Sequence, residues 1–258
     1  MKSVCLTSLL FTLESVEVGS NGYVAIFLMY IASLVKSGGL TSADCFTLLI
    51  DKRTLDFINE SIFGAIFQRL PCEKRIIHFD APKTMLEGMV RKYTDFEYTQ
   101  DDYMYLDIDT FVVQDIHRLL KDMPSNTIRI RMEGLLKDDN YGASMPRDYD
   151  FGTELGYSAG TFACGSKAIL TKFFNSVRGC IRDDIHYCVE QPYFNQSISL
   201  SKKYLNYDTF DNSMISFNGH KYIKGYSVII DCAGEPGNGK IHFQKAMNVF
   251  SLIHSGYF

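Results

Sequence analysis

Short apolar runs alternate with longer amphipathic ones through the first hundred residues, and this alternation predicts the elements. Val4 to Thr12 is an apolar and small-residue run of strand length. Asn21-Gly22-Tyr23 turns the chain into a long apolar helix that stops near Lys36-Ser37-Gly38-Gly39, where glycine favours termination. Cys45 to Ile50 predicts a second strand, and Leu55 to Leu70 an amphipathic helix. Arg75 to Phe79 predicts a third strand, and Thr84 to Tyr93 another helix. Tyr103 to Leu106 is apolar throughout, the pattern of a strand covered on both faces. Strand–helix units in this order predict an α/β fold: a doubly wound, mostly parallel central sheet with helices on both faces. Beyond the fourth strand the pattern loosens. Thr127 to Arg131, Thr161 to Cys164 and Tyr226 to Ile230 read as strands, and Lys167 to Val177 and Asp184 to Ser197 as helices. Met132 to Gly156 is polar and rich in Gly and Asp, as an active-site loop or lid is.

The most informative stretch is Tyr103-Met-Tyr-Leu-Asp-Ile-Asp109, a buried strand running into two carboxylates. Ligands of open α/β sheets lie at the carboxyl ends of the strands. In extended chain, residues two apart point the same way, so Asp107 and Asp109 are expected to converge on one cation. Two hard oxygen donors suit Mn²⁺ or Mg²⁺ better than Zn²⁺. The bland alternative is a strand and a turn, with Asp109 capping the next helix.

Composition narrows the class. A chain of 258 residues with 46% hydrophobic content suits one sizeable core, and a net charge of −4 without a basic stripe argues against nucleic acid as partner. The seven cysteines form no C-x-x-C pair and sit largely in apolar runs, so buried thiols in a reducing compartment are expected. The longest apolar stretch, Tyr23 to Val35, is too short to span a bilayer, and Met1 to Leu13 lacks a clean signal-peptide pattern. No transmembrane segment and a cytoplasmic location are the expectations.

Three later blocks give the Asp pair company: Tyr157-Ser158-Ala159-Gly160-Thr161-Phe162, Glu190-Gln191-Pro192-Tyr193-Phe194-Asn195 and Ile229-Ile230-Asp231-Cys232-Ala233-Gly234. With Leu106-Asp107-Ile108-Asp109, their order resembles the GT-A glycosyltransferases, and among them family 8, the glycogenin and bacterial galactosyltransferase group. The resemblance spans roughly residues 85 to 240. It implies one GT-A domain, with a nucleotide-binding half (1–110) and a donor-sugar and acceptor half (111–258). It implies transfer of a hexose or pentose from a UDP-sugar to a glycan, protein or lipid acceptor, with Mn²⁺ or Mg²⁺ as cofactor.

Residue by residue, Asp107 and Asp109 match the metal- and nucleotide-binding pair. Ser158, Ala159 and Gly160 match the turn lining the donor sugar. Glu190 matches an Asp that contacts sugar or acceptor, and Gln191 the Gln on the sugar's reacting face; these two are the catalytic candidates. Arg91 matches a basic donor contact, and Asn21 and Tyr23 an early Asn-Tyr near the base. Thr7 and Gly234 are counted with the donor contacts. Where the family has a His as third metal ligand, Asp231 stands here, and His242 is the other candidate. The family's Lys-Pro-Trp is absent, and Lys240 or Lys245 is expected to supply its charge.

Chemistry agrees with the class. Departure of a nucleoside diphosphate builds negative charge that a divalent ion and a Lys or Arg stabilise. An amide such as Gln191 at the sugar suits retention, whereas inversion needs a carboxylate base, for which Glu190 would serve. Two alternatives are a non-catalytic relative that only binds nucleotide sugar, favoured by Asp231, and an Asp-x-Asp phosphatase. The phosphatase pattern requires Thr or Val two residues after the second Asp, where this chain has Phe111.

Overall fold

The computed structural model describes residues 2–61, 63–96, 102–137, 154–182, 188–217, 222–232 and 239–255. Strand β1 (Val4–Leu10) leads to helix α1 (Gly22–Ser37), and β2 (Cys45–Asp51) to α2 (Lys52–Asn59) and α3 (Phe63–Phe67). Strand β3 (Glu73–Phe79) is followed by α4 (Met85–Thr94), then by β4 (Asp102–Leu106) and the short β5 (Thr110–Val112). The rest comprises β6 (Thr127–Leu135), β7 (Leu155–Cys164), α5 (Lys167–Cys180), α6 (Gln191–Ser201), β8 (Asn206–Thr209), β9 (Ile215–Phe217), β10 (Ile229–Asp231) and α7 (Gly239–His254).

Seven strands form the main sheet in the order β3-β2-β1-β4-β7-β6-β8, and β5-β10-β9 form a small second sheet. β1 pairs in parallel with both β2 and β4, and β2 with β3. β7 runs antiparallel to β4 and β6, so the sheet is mixed beyond its centre. The central strands are apolar at nearly every position because both faces are covered. Leu6, Phe46, Leu48, Met104 and Leu106 face one core with Phe27, Tyr30 and Leu34 of α1. Leu9, Leu49, Tyr103 and Tyr105 face the other, with Tyr93 of α4, Phe173 and Phe174 of α5 and Phe194 of α6. The period of two thus sorts one continuous apolar run into two cores.

The structure corrects several expected boundaries. The predicted helix Leu55 to Leu70 is two helices, α2 and α3. The polar segment expected to be loop from Met132 begins and ends as strand: β6 runs to Leu135 and β7 starts at Leu155, paired Leu135 to Leu155. Residues 138–153 of that segment lie outside the described residues. Of the helix expected from Asp184, residues 183–187 lie outside the described residues, 188–190 form a turn, and the helix runs from Gln191. Strands β5, β8 and β9 and helix α7 have no counterpart among the expected elements. Ala246, Val249 and Ile253 of α7 complete the first core, and Phe250 packs edge-on against Phe111 at 5.9 Å between ring centres. Among the described residues no helix is long and apolar enough to cross a membrane.

The ends of the strands opposite the Asp pair are tied by a buried charged clamp. Asp44 accepts hydrogen bonds from the Val4 N–H at 2.9 Å and the Thr41 N–H at 2.7 Å, and pairs with His117 Nε2 at 3.0 Å. The other ring nitrogen of His117 lies 2.6 Å from Asp115. Burial alone would lower the His117 imidazole, but hydrogen bonds to Asp44 and Asp115 outweigh it and raise it. The stabilisation from charged His117 is therefore full below its unfolded value of about 6.5 and is lost as pH rises through the higher folded value. Burial likewise opposes the Asp44 charge and is outweighed by its hydrogen bonds, which hold this carboxyl below its usual value. Its contribution is lost instead as pH falls. His117→Gln is expected to cost about 1.5–3 kcal/mol at pH 6, the scale of a hydrogen bond to a charged group. The deficit should shrink as pH rises through the raised folded value. Denaturant titrations at several pH values check this, and a pH-independent deficit would contradict it.

Candidate active site

The site is assembled where β4 ends. Asp107 follows the last residue of β4, and its N–H bonds the Gly160 carbonyl of β7 at 2.9 Å. A turn closes at once, with Thr110 N–H to the Asp107 carbonyl at 3.1 Å. The two carboxylates are therefore brought together by a turn, not by the extended alternation expected from sequence. Their proximity shows in Asp107, which is pushed up to about 6. Burial is the main cause, opposed by Lys92 and reinforced by the charges of Asp109 and Glu190. Tyr105 shares the face of Asp107 and donates its hydroxyl to Asp107 Oδ1 at 2.7 Å.

Lys92 is the residue that sequence reasoning missed. It lies in the last turn of α4, wholly buried, with Nζ 2.6 Å from Glu190 Oε1, 4.0 Å from Asp107 Oδ1 and 3.0 Å from the Ala159 carbonyl. One ammonium thus joins the Asp pair, the Ser158–Gly160 strand and the Glu190–Gln191 block. The Lys92 ammonium also stands 4.8 Å from the centre of the Tyr105 ring. Arg91, the basic residue expected to contact the donor, instead pairs with Asp95 at 3.3 Å and lies over the Phe79 ring. It lines an open cleft with Lys52, His78 and Asp80. Helical spacing was the available signal. Gly88 and Lys92 are one turn apart and both buried, and Gly88 lets α4 close on the Phe11 ring.

Glu190 and Gln191 open α6. Glu190 is 3% exposed, and the preceding Val189 has φ of +52°, a left-handed conformation that a β-branched residue adopts only when its surroundings impose it. Gln191 Oε1 accepts from the Ala159 N–H at 3.2 Å, which fixes the amide. Asn195, one turn on, bonds both backbone groups of Tyr157 at 2.8 Å and locks α6 to β7. Ser158 Oγ accepts from the Gly160 N–H at 3.2 Å.

Gly160 is required by contact. A β-carbon there would collide with Asp107 Oδ2. Gly160→Ala is expected to push the carboxylate aside and lower turnover about 10²-fold, the cost of a misplacement near 1 Å. Retention of a folded core, read by thermal unfolding, distinguishes this from collapse. Wild-type turnover would contradict the placement.

The remaining sequence candidates divide. Tyr23 borders the Asp pair: its phenol is raised first by burial, then by the charges of Asp109 and Asp107. Asn21 caps α1 through the Tyr23 N–H at 3.0 Å and donates to Phe11 and Thr12, so its amide serves the turn that presents Tyr23. Thr7 has no exposed surface and sits within the sheet against Tyr103, so it cannot touch a ligand in this structure, contrary to expectation. Asp231 ends β10, opposite Thr110, and its carboxylate is bonded to Arg131. Gly234 lies outside the described residues, as do the side chains of Lys240 and His242.

No family model and no curated protein matches the sequence. Solved structures do. The glycosyltransferase GlyE of Streptococcus pneumoniae TIGR4 matches with TM-score 0.55 and 14% identity, over 100% of this chain and 64% of its own. This chain therefore spans less than two thirds of GlyE. The galactosyltransferase LgtC, in complex with donor and acceptor sugar analogues, matches with TM-score 0.54 and 12% identity over 95% of both chains. Mouse xyloside xylosyltransferase 1, in its apo form, matches with TM-score 0.54 and 10% identity over 89% of this chain and 97% of its own. At such identities the likeness is one of architecture, and the chain has the GT-A glycosyltransferase fold.

Proposed function

We propose that this protein is a metal-dependent glycosyltransferase that moves a hexose or pentose from a UDP-sugar to a glycan, protein or lipid acceptor with retention. The observation that carries the reading is Lys92. Its ammonium gathers Asp107, Glu190 and the Ala159 carbonyl into one cluster at the carboxyl end of the parallel strands. That is where an open α/β sheet binds its ligand, and the fold is one that solved glycosyltransferases share. The LgtC structure contains donor and acceptor sugar analogues, which supports a nucleotide-sugar donor here.

The donor set fits a hard divalent ion. Asp107 and Asp109 supply carboxylate oxygens, and the half-buried Asp107 carries a charge that its surroundings disfavour and a cation would relieve. Mn²⁺ or Mg²⁺, when bound, takes up negative charge on the leaving diphosphate. The other steps fall to the chain. Tyr23 borders the place of the nucleotide. Gly160 leaves room beside Asp107 for the donor. Gln191, with its carbonyl held by Ala159, directs its amide group at the sugar. Lys92 offsets the charge of Glu190 and Asp107 without solvent rearrangement, as preorganised electrostatics requires. Glu190 is almost fully buried and committed to Lys92, so little of it is open to take an acceptor proton, which supports retention over inversion.

The test is turnover of UDP-glucose, UDP-galactose, UDP-xylose and GDP-mannose with Mn²⁺ and with EDTA, and the product's anomeric configuration by NMR. Metal-dependent release of UDP with a retained anomer is the expected outcome. Undiminished turnover in EDTA would overturn the metal-dependent reading.

A further inference from the structure

We propose that Asp231 is not a ligand of the divalent ion but the anchor of Arg131, so that the ion takes two carboxylates from the described chain and enters with the donor's diphosphate. This rests on the reading of Asp107 and Asp109 as the ion site.

The Asp231 carboxylate is bonded to the Arg131 guanidinium, which also pairs with Glu133 at 3.1 Å. The face of Phe217 stacks on that guanidinium at 5.4 Å. Arg131 is 5% exposed and Asp231 6% exposed. The arrangement staples the small sheet to the large one, since Asp231 is on β10, Phe217 on β9 and Arg131 on β6. A buried ion pair loses far more when one partner is withdrawn than it contributes intact. Moving Asp231 onto an ion would strip Arg131 of a buried carboxylate partner. Asp109 has a different neighbour: its carbonyl accepts from the Cys232 N–H at 2.9 Å. Among the described residues no three His, Cys, Asp or Glu side chains are grouped to hold a metal. Two carboxylates bind a hard ion weakly, and diphosphate oxygens would supply further ligands.

The experiment is Mn²⁺ binding to the full chain, read by electron paramagnetic resonance of free Mn²⁺, with and without UDP. Wild type should bind at least about tenfold more tightly with UDP, because the diphosphate supplies ligands. Asp109→Asn should weaken the UDP-dependent binding at least about tenfold, whereas Asp231→Asn should change it less than about threefold. Arg131→Gln supplies a second arm and should also leave the affinity within about threefold, while lowering the melting temperature as Asp231→Asn does. Weakening by Asp231→Asn equal to that of Asp109→Asn overturns the proposal. So does a large gain in Mn²⁺ affinity in Arg131→Gln, which would mean that arginine and ion compete for Asp231. If wild type binds no Mn²⁺ with UDP, the ion-site reading itself fails, and the proposal with it.

Discussion

Replacing Lys92 with methionine is expected to destabilise the protein by about 3–5 kcal/mol, because it leaves the buried Glu190 carboxylate without its cation. For a chain of this size that corresponds to a fall in melting temperature of roughly 6–20 °C. The ammonium is wholly buried and 2.6 Å from Glu190, so solvent does not replace it. Lys92→Met combined with Glu190→Leu should recover much of the loss, since an apolar pair of similar volume substitutes well for a buried ion pair. It should not recover activity. A thermal-unfolding cycle over the four proteins, with turnover measured on each, checks both points. If Lys92→Met melts like wild type, the ammonium is not the hub of the site.

Removal of the second carboxylate should separate chemistry from stability. Asp109 lies in the turn after β4, half-buried, and its backbone carbonyl holds the Cys232 N–H whatever its side chain. Asp109→Ala should therefore leave the melting temperature nearly unchanged and lower turnover by at least roughly 10²–10³-fold, the scale for deleting one preorganised electrostatic contact. The loss should appear in kcat/KM at saturating Mn²⁺ and should not be restored by more metal. Turnover within a few-fold of wild type would remove Asp109 from the site.

Much of the first half was legible in the residues. The apolar runs of β1, β2 and β4 read as strands because a parallel strand covered on both faces has few polar positions to confuse the pattern. The carboxylates stood out for the same reason: Asp107 interrupts an apolar run where a charge is not tolerated without cause. Local patterns failed where pairing is remote. β5 and β9 are each three residues long and are held by pairing with β10, β5 across more than a hundred residues of chain. Helix α7 is the exception, since Ala246, Val249, Phe250 and Ile253 carry a helical spacing that is legible in the sequence.

The site shows the same division. Sequence alone placed Asp107, Asp109, Gly160, Glu190 and Gln191 in one order, and the structure brings them to one end of the sheet. The Asp pair has a local signal, the end of an apolar strand, whereas Gly160, Glu190 and Gln191 stand out through the family resemblance. That Lys92, beside the expected Arg91, meets Asp107 is not a local matter. Adjacent residues on a helix differ by about 100° in direction, so which one meets Asp107 depends on how α4 is rolled against the sheet. That roll is set by Gly88 closing on Phe11. Asp231 was likewise open in the sequence, as a carboxylate of the right spacing. Only the fold brings Arg131 across from another sheet to claim it, because charge pairing in a buried site depends on distances in space and leaves no periodicity along the chain.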